Sequence, residues 1–225
     1  MKRSDINAIL AEGDAFFRSF GYVLPPFAHW TPAELKSRDH AHIAARGLGW
    51  DITDYGRGDF AKLGLFLFTT RNGDVADLSQ GRGALYAEKI MISRKHQLCP
   101  MHRHNLKTED IINRGGGDLV LELFASASDG GIDRESEISV ISDGRRRSIQ
   151  PGGRLRLRPG ESITLMPEVW HAFWGERGDV LVGEVSTTND DQTDNRFEDP
   201  IGRFPTAEED EAPWRLLVSD YAAWL

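Results

Sequence analysis

The chain has a single cysteine, Cys99, among 225 residues, so no internal disulfide can form, and the expected compartment is the reducing cytoplasm. No apolar run approaches the ~20 residues of a membrane-spanning helix, and Met1-Lys-Arg-Ser-Asp-Ile-Asn7 lacks the apolar centre of a secretory leader. Positive charge is in deficit. The 27 Lys and Arg against 35 Asp and Glu leave a net charge of −8, the wrong sign for a partner held through its phosphate backbone. Neither a membrane nor a nucleic acid is an expected partner. There is no glycine-rich phosphate cradle, no internal repeat and no helix-turn-helix. No composition break splits the chain, so one domain over residues 1–225 is expected, long enough for a full core.

What is present changes texture along the chain. Ser4 and Asp5 precede Ile6, Ile9, Leu10, Phe16, Phe17 and Phe20, apolar at mostly helical spacing, which predicts a first helix capped by Ser4 and ending near Gly21. Thr31-Pro32 has the form of an N-cap with proline at the first helical position, and a second helix is expected to about residue 46. Residues 47–58 are glycine-punctuated and open between loop and short strand. From residue 63 onward short β-favouring runs alternate with turn residues: strands are expected at 63–70, 85–93, 119–124, 137–141, 148–150, 155–157, 162–166, 170–174 and 180–186. Arg71-Asn-Gly73, Asp143-Gly144, Pro151-Gly-Gly153 and Glu176-Arg-Gly178 mark turns between them. Such spacing favours a sandwich or barrel over alternating β-α units. Arg154, Arg156 and Arg158 read as a solvated strand face. The polar stretch 187–197 reads either as a surface loop or as a wall across a barrel mouth, and Leu216, Leu217, Tyr221 and Trp224 suggest a terminal helix.

The chemistry concentrates in Cys99-Pro-Met-His-Arg-His-Asn-Leu-Lys-Thr-Glu-Asp110. Residues two apart on a strand share a face, so His102 and His104 aim at one point, and Glu109 follows five positions later. A second unit, Pro159-Gly-Glu-Ser-Ile-Thr-Leu-Met-Pro-Glu-Val-Trp-His171, reads as turn, strand, turn and a returning histidine. Two histidines alone are more often a polar pair on a strand. With Glu109 and His171 they become a candidate shell for a divalent metal: His102, His104, Glu109 and His171. Three nitrogens and a carboxylate do not choose among manganese, iron, cobalt, nickel and zinc.

The spacing resembles the two-motif signature of the cupin superfamily: Gly116 and Gly160 stand where that signature has glycine. His96 occupies its leading glycine position, and Pro167-Glu168-Val169 replaces its Pro-x-Gly. The resemblance narrows over the whole chain. Lys2-Arg-Ser-Asp-Ile-Asn7, Phe16-Phe17, Tyr22-Val-Leu-Pro-Pro-Phe-Ala-His-Trp-Thr-Pro32, Gly49-Trp-Asp-Ile-Thr53, Gly64-Leu-Phe-Leu-Phe-Thr69, Tyr86-Ala-Glu-Lys-Ile90, Met166-Pro-Glu-Val-Trp-His171 and Gly183-Glu-Val-Ser-Thr-Thr-Asn-Asp190 are similar to D-lyxose isomerases. This resemblance implies a mainly β, cupin-type jelly-roll barrel at 61–190, a helical and loop extension at 1–60, and a tail at 191–225 with a short helix. It implies manganese as the divalent ion and a homodimer. It also implies interconversion of D-lyxose with D-xylulose, and of D-mannose with D-fructose, by metal-assisted enediolate proton transfer.

Proton transfer between adjacent carbons needs a general acid and base. Lys107 lies between His104 and Glu109 in sequence, where a nearby dication would lower its pKa, and Glu184 sits in an apolar strand among Val180, Val182 and Val185. Each has an ordinary reading, as turn lysine and ion-pair partner, and together they are the acid/base candidates. Asp194 and Arg203 are candidates for sugar hydroxyl contacts, while His29, His40, His42 and His96 are expected in structural or surface roles. Three alternatives remain open at this level: a sugar-phosphate isomerase, a metal-dependent cupin dioxygenase, and a sugar-binding cupin without turnover.

Overall fold

The computed structural model describes residues 1–188, 190–202 and 206–225. The chain opens with α1 (Arg3–Ser19), whose buried Ile6, Leu10, Gly13 and Phe17 form one helical face. Ser4 is not its cap. The Ser4 amide and hydroxyl donate to the Asp210 carboxylate at 2.9 and 2.7 Å, and the buried Arg3 guanidinium is held by Glu209 and Asp220. The acidic run 208–211 therefore meets the positive end of a helix, where carboxylates are stabilised. Thr31 does cap α2 (Pro32–Ser37), its hydroxyl accepting the Glu34 N–H at 3.2 Å. The expected continuation to residue 46 is broken: Arg38 turns extended and lays its guanidinium over Trp30, 4.6 Å from the ring centroid. A separate α3 (Ala41–Ala45) follows.

Antiparallel pairing then dominates. The strands are β1 (Gly49–Thr53), β2 (Leu65–Arg71), β3 (Tyr86–Ser93), β4 (Cys99–His104), β5 (Glu109–Ser126), β6 (Ile132–Asp133), β7 (Ile138–Ser142), β8 (Arg145–Ile149), β9 (Gly153–Leu157), β10 (Ser162–Leu165), β11 (Trp170–Thr187) and β12 (Asn195–Phe197). A one-turn α4 (Val75–Leu78) precedes β3, and α5 (Tyr221–Trp224) closes the chain. The two strands expected at 170–174 and 180–186 are one strand, and the Glu176-Arg-Gly178 turn is a bulge within it, where register against β5 shifts between Glu176 and Val180. Opposite the bulge, a Cβ on Gly116 or Gly117 would collide with the carbonyl oxygens of Asp179 or Glu176. Only glycine lets the two backbones close here.

Bending together, β5 and β11 serve two sheets. Their Glu109 and Thr187 ends join the order β1-β2-β3-β11-β5-β10-β7-β8, while their other halves pair with β9 and with β4, which carries β12 on its far edge. Because successive side chains point to opposite faces, Leu67, Met91 and Val182 enter the core between the sheets. Their neighbours Phe66, Phe68, Ile90 and Leu181 pack outward against Phe17 of α1 and Trp50. The expected mainly β fold with an N-terminal helix and a short C-terminal helix is what the chain adopts. His96, at the leading glycine position of the cupin spacing, stands at φ 62, and Glu168, within the Pro167-Glu168-Val169 turn, at φ 69, both in the left-handed region that favours glycine.

Candidate active site

The site forms inside the jelly roll, where β4, β5 and β11 meet. His171 is the direct cross-strand partner of His102, and His104 follows on the same face of β4. The ring centroids of His102 and His171 are 4.1 Å apart, and those of His104 and His171 are 5.7 Å apart. One nitrogen from each of the three rings falls within 4.8 Å of the others. Local backbone sets two of the tautomers: His102 Nδ1 donates to the Pro100 carbonyl at 2.7 Å and His171 Nδ1 to the Val169 carbonyl at 3.0 Å, which leaves each Nε2 with its lone pair for the site. Glu109, at the start of β5, brings Oε1 to 3.3 Å from Nε2 of both His104 and His171.

This donor set fits a divalent cation. Both ring nitrogens of His104 and Glu109 Oε1 are buried without a hydrogen-bond partner, and buried polar atoms are ordinarily satisfied. Burial, reinforced by the neighbouring imidazoles, holds His102 well below its ordinary pKa. Burial likewise pushes His171 down to about 4, although Glu109 opposes it. The neutral imidazole is the form that ligates a metal.

Beside the histidines runs a chain of alternating charges. Lys107 Nζ lies 2.7 Å from Glu109 Oε2 and 3.0 Å from Glu184 Oε1. Lys89 Nζ lies 3.4 Å from the same Glu184 oxygen and 3.0 Å from Asp191. Burial disfavours charge on Lys107, but Glu109, Glu184 and Asp191 outweigh it and raise the pKa, keeping an ammonium. Within the protein alone the direction is thus opposite to the lowering expected from a dication. Glu109 is held ionised, well below the usual carboxylate range, because Lys107 and the imidazoles overcome its burial.

His102, His104, Lys107, Glu109, His171 and Glu184 line one small cavity of about 30 Å³, on the scale of an ion or a water. Tyr55, Phe173 and Phe197 form part of its apolar wall. Asp194 comes close but does not line it: its carboxylate accepts the backbone N–H groups of Asn105, Leu106 and Lys107 at 3.1, 2.8 and 3.1 Å. Arg203 lies outside the described residues. The cavity also takes in Lys89, Asp191 and Asn195, which the sequence reading missed. A lysine flanked by Ala87, Ile90, Met91 and Ile92 was the available signal for Lys89, since lysine is rarely buried without a partner. No local signal marks Asp191 or Asn195, which arrive when β12 pairs with β4.

Residues 1–221 match the family model described as D-lyxose isomerase. The chain belongs to the D-lyxose isomerase family. A D-lyxose/D-mannose isomerase of Serratia proteamaculans is 48% identical, with 100% of each chain covered. One of Escherichia coli O157:H7 is 46% identical, with 98% of each covered. Among solved structures, the L-ribose isomerase of Acinetobacter sp. DL28 in complex with L-ribose shares the fold, with TM-score 0.63 and 17% identity over 92% of this chain and 97% of that one. This member of the family is therefore a sugar isomerase of cupin-type fold, with a buried histidine group able to bind a metal. Among the described residues no helix is long and apolar enough to cross a membrane.

Proposed function

We propose that the protein interconverts D-lyxose and D-xylulose, and D-mannose and D-fructose, by moving a proton between adjacent carbons. In this reading His102, His104, Glu109 and His171 hold a divalent ion, and Lys107 and Glu184 are the acid and base. The observation that carries it is the contact of Lys107 Nζ with both Glu109 and Glu184, at 2.7 and 3.0 Å, beside the three buried imidazoles. One hydrogen-bonded pair thus supplies a proton acceptor and a proton donor against the proposed ligand shell. When bound, the divalent ion supplies Lewis-acid stabilisation of the negative charge that develops on the sugar oxygens.

Glu184 is the base. Of the two carboxylates of the cavity outside the ligand shell, Glu184 and Asp191, Glu184 is the one in contact with both Lys107 and Lys89, so it takes the proton from one carbon and returns it to the next. Lys107, kept protonated by its carboxylate neighbours, donates to the sugar oxygen on which charge grows. General acid and base catalysis of this kind contributes typically ~10²–10⁴-fold. Lys89, Asp191 and Asn195 offer the hydrogen-bonding groups for the remaining hydroxyls.

Manganese as the resident ion and the homodimer rest on the family resemblance, and the cytoplasm rests on the lone, buried Cys99. Residues 1–225 act as one domain, with α1 and the tail clamped together through Arg3, Glu209 and Asp220.

The test is anaerobic incubation of metal-stripped and manganese-reloaded protein with D-lyxose in heavy water, followed by NMR. The expected result is D-xylulose from the reloaded sample alone, carrying deuterium at the exchanged carbon. Equal turnover by the stripped protein overturns the metal reading. Product without deuterium overturns the exchangeable base, and absence of product overturns D-lyxose as substrate and moves the assay to sugar phosphates.

A further inference from the structure

Of the three clustered histidines, two have their outer nitrogen held by a backbone carbonyl, and His104 does not. Its Nδ1 is buried without a hydrogen-bond partner. Two carboxylates flank this ring: Glu109 Oε1 lies 3.3 Å from Nε2, on the side of the proposed ion, and Asp194 Oδ2 lies 3.9 Å from Nδ1. Asp194 is itself only 6% exposed. Its Oδ1 accepts the N–H groups of Asn105 and Leu106, and its Oδ2 that of Lys107. The Asp194 carbonyl also accepts the Asn105 N–H at 3.2 Å. These bonds gather the short segment that joins His104 to Lys107.

We infer that Asp194 is a positioning residue: it holds His104 in the tautomer whose Nε2 can ligate a metal and, with the same carboxylate, fixes the loop that carries Lys107. The inference rests on the reading of His104 as a metal ligand. Ligating histidines generally donate their second N–H to a carboxylate or carbonyl, which fixes tautomer and ring orientation. For His102 and His171 the carbonyls of Pro100 and Val169 do this, and Asp194 is the group in place to do it for His104.

The shape of the hydrogen bonding makes Asp194→Asn a directed test. An asparagine keeps its oxygen where Asn105 and Leu106 both donate, so its NH₂ group takes the Oδ2 position, facing the Lys107 N–H and His104 Nδ1. Donor then meets donor. A bare Nδ1 becomes the favoured state of the ring, which moves the proton to Nε2 and removes the lone pair from the metal side.

The experiment measures the manganese dissociation constant by chelator competition for wild type, D194N and H104A. It also follows the His104 Nδ1–H by NMR in zinc-loaded protein. D194N is expected to bind manganese about 10–100-fold more weakly than wild type, and to lose the exchange-protected His104 Nδ1–H while the corresponding protons of His102 and His171 stay in place. At saturating manganese its kcat remains depressed, because the Lys107 loop is loosened. Wild-type manganese affinity in D194N, or a wild-type His104 Nδ1–H that exchanges freely, overturns the inference. The wild-type spectrum decides the matter even when D194N does not fold. Unchanged affinity in H104A instead refutes His104 as a ligand, a separate failure.

Discussion

Replacing Glu184 with glutamine keeps the shape of the side chain and removes one charge from the alternating chain. Glu184 Oε1 lies 3.0 Å from Lys107 Nζ and 3.4 Å from Lys89 Nζ. At an effective dielectric of ~20 each contact amounts to roughly 5 kcal/mol of gross attraction, set against several kcal/mol for desolvating the carboxylate. Both lysines keep another partner: Lys107 retains Glu109 at 2.7 Å and Lys89 retains Asp191 at 3.0 Å. Neither ammonium is stranded, so the stability loss stays at about 1–3 kcal/mol, and the variant folds. Loss of the base is another matter, and kcat is expected to fall about 10²–10⁴-fold. The assay is the initial rate of D-lyxose isomerisation at saturating manganese, with deuterium uptake into unreacted sugar and the manganese affinity measured alongside. The expected pattern is collapsed kcat, lost deuterium exchange, and unchanged metal binding. Near wild-type kcat refutes Glu184 as the base. A variant that loses manganese but recovers its rate at high manganese refutes the separation of Glu184 from the ligand shell.

Three further outcomes follow from the same structure. Gly13→Ala in α1 is expected to destabilise by about 1–3 kcal/mol in chemical denaturation, because its Cβ would lie 2.6 and 2.7 Å from two ring carbons of the buried Phe66; helix propensity alone gives the opposite sign, a gain of ~1 kcal/mol. His96→Gly relieves a left-handed residue at φ 62 and is expected to stabilise by up to about 1 kcal/mol, a rise of roughly 2–4 °C in Tm by scanning calorimetry, with kcat unchanged. Metal-stripped protein is expected to weaken in acid. The folded pKa of His171 is lowered from 6.5 to about 4, so the unfolded chain binds the extra proton first. The stability from keeping this ring neutral is whole above about pH 6.5 and is lost as pH falls toward 4, roughly 3 kcal/mol in all. Urea midpoints that stay flat across that window refute it.

Much of the site was readable in one dimension because its decisive spacings are local. His102 and His104 share a face through the two-residue period of a strand, and the turn at Pro167 returns His171 whatever the rest of the chain does. Glu184 stood out as a carboxylate in an apolar strand, and the same logic applied to Lys89 would have found it as well. Helix α1 was legible from its apolar period, but its first turn was not, because the groups that hold Arg3 and Ser4 lie more than 200 residues away. The expected turn at Glu176-Arg-Gly178 became a bulge because Gly116 and Gly117 on the facing strand let both backbones bend together. Local sequence therefore determined the identity of the proposed ligands and the alternation that turns them inward. Which carboxylate meets which ammonium, and that Asp194 clamps the Lys107 loop, only the tertiary structure decided. Those contacts depend on strand register and on β12 docking beside β4, and register is set by the packing of the whole core.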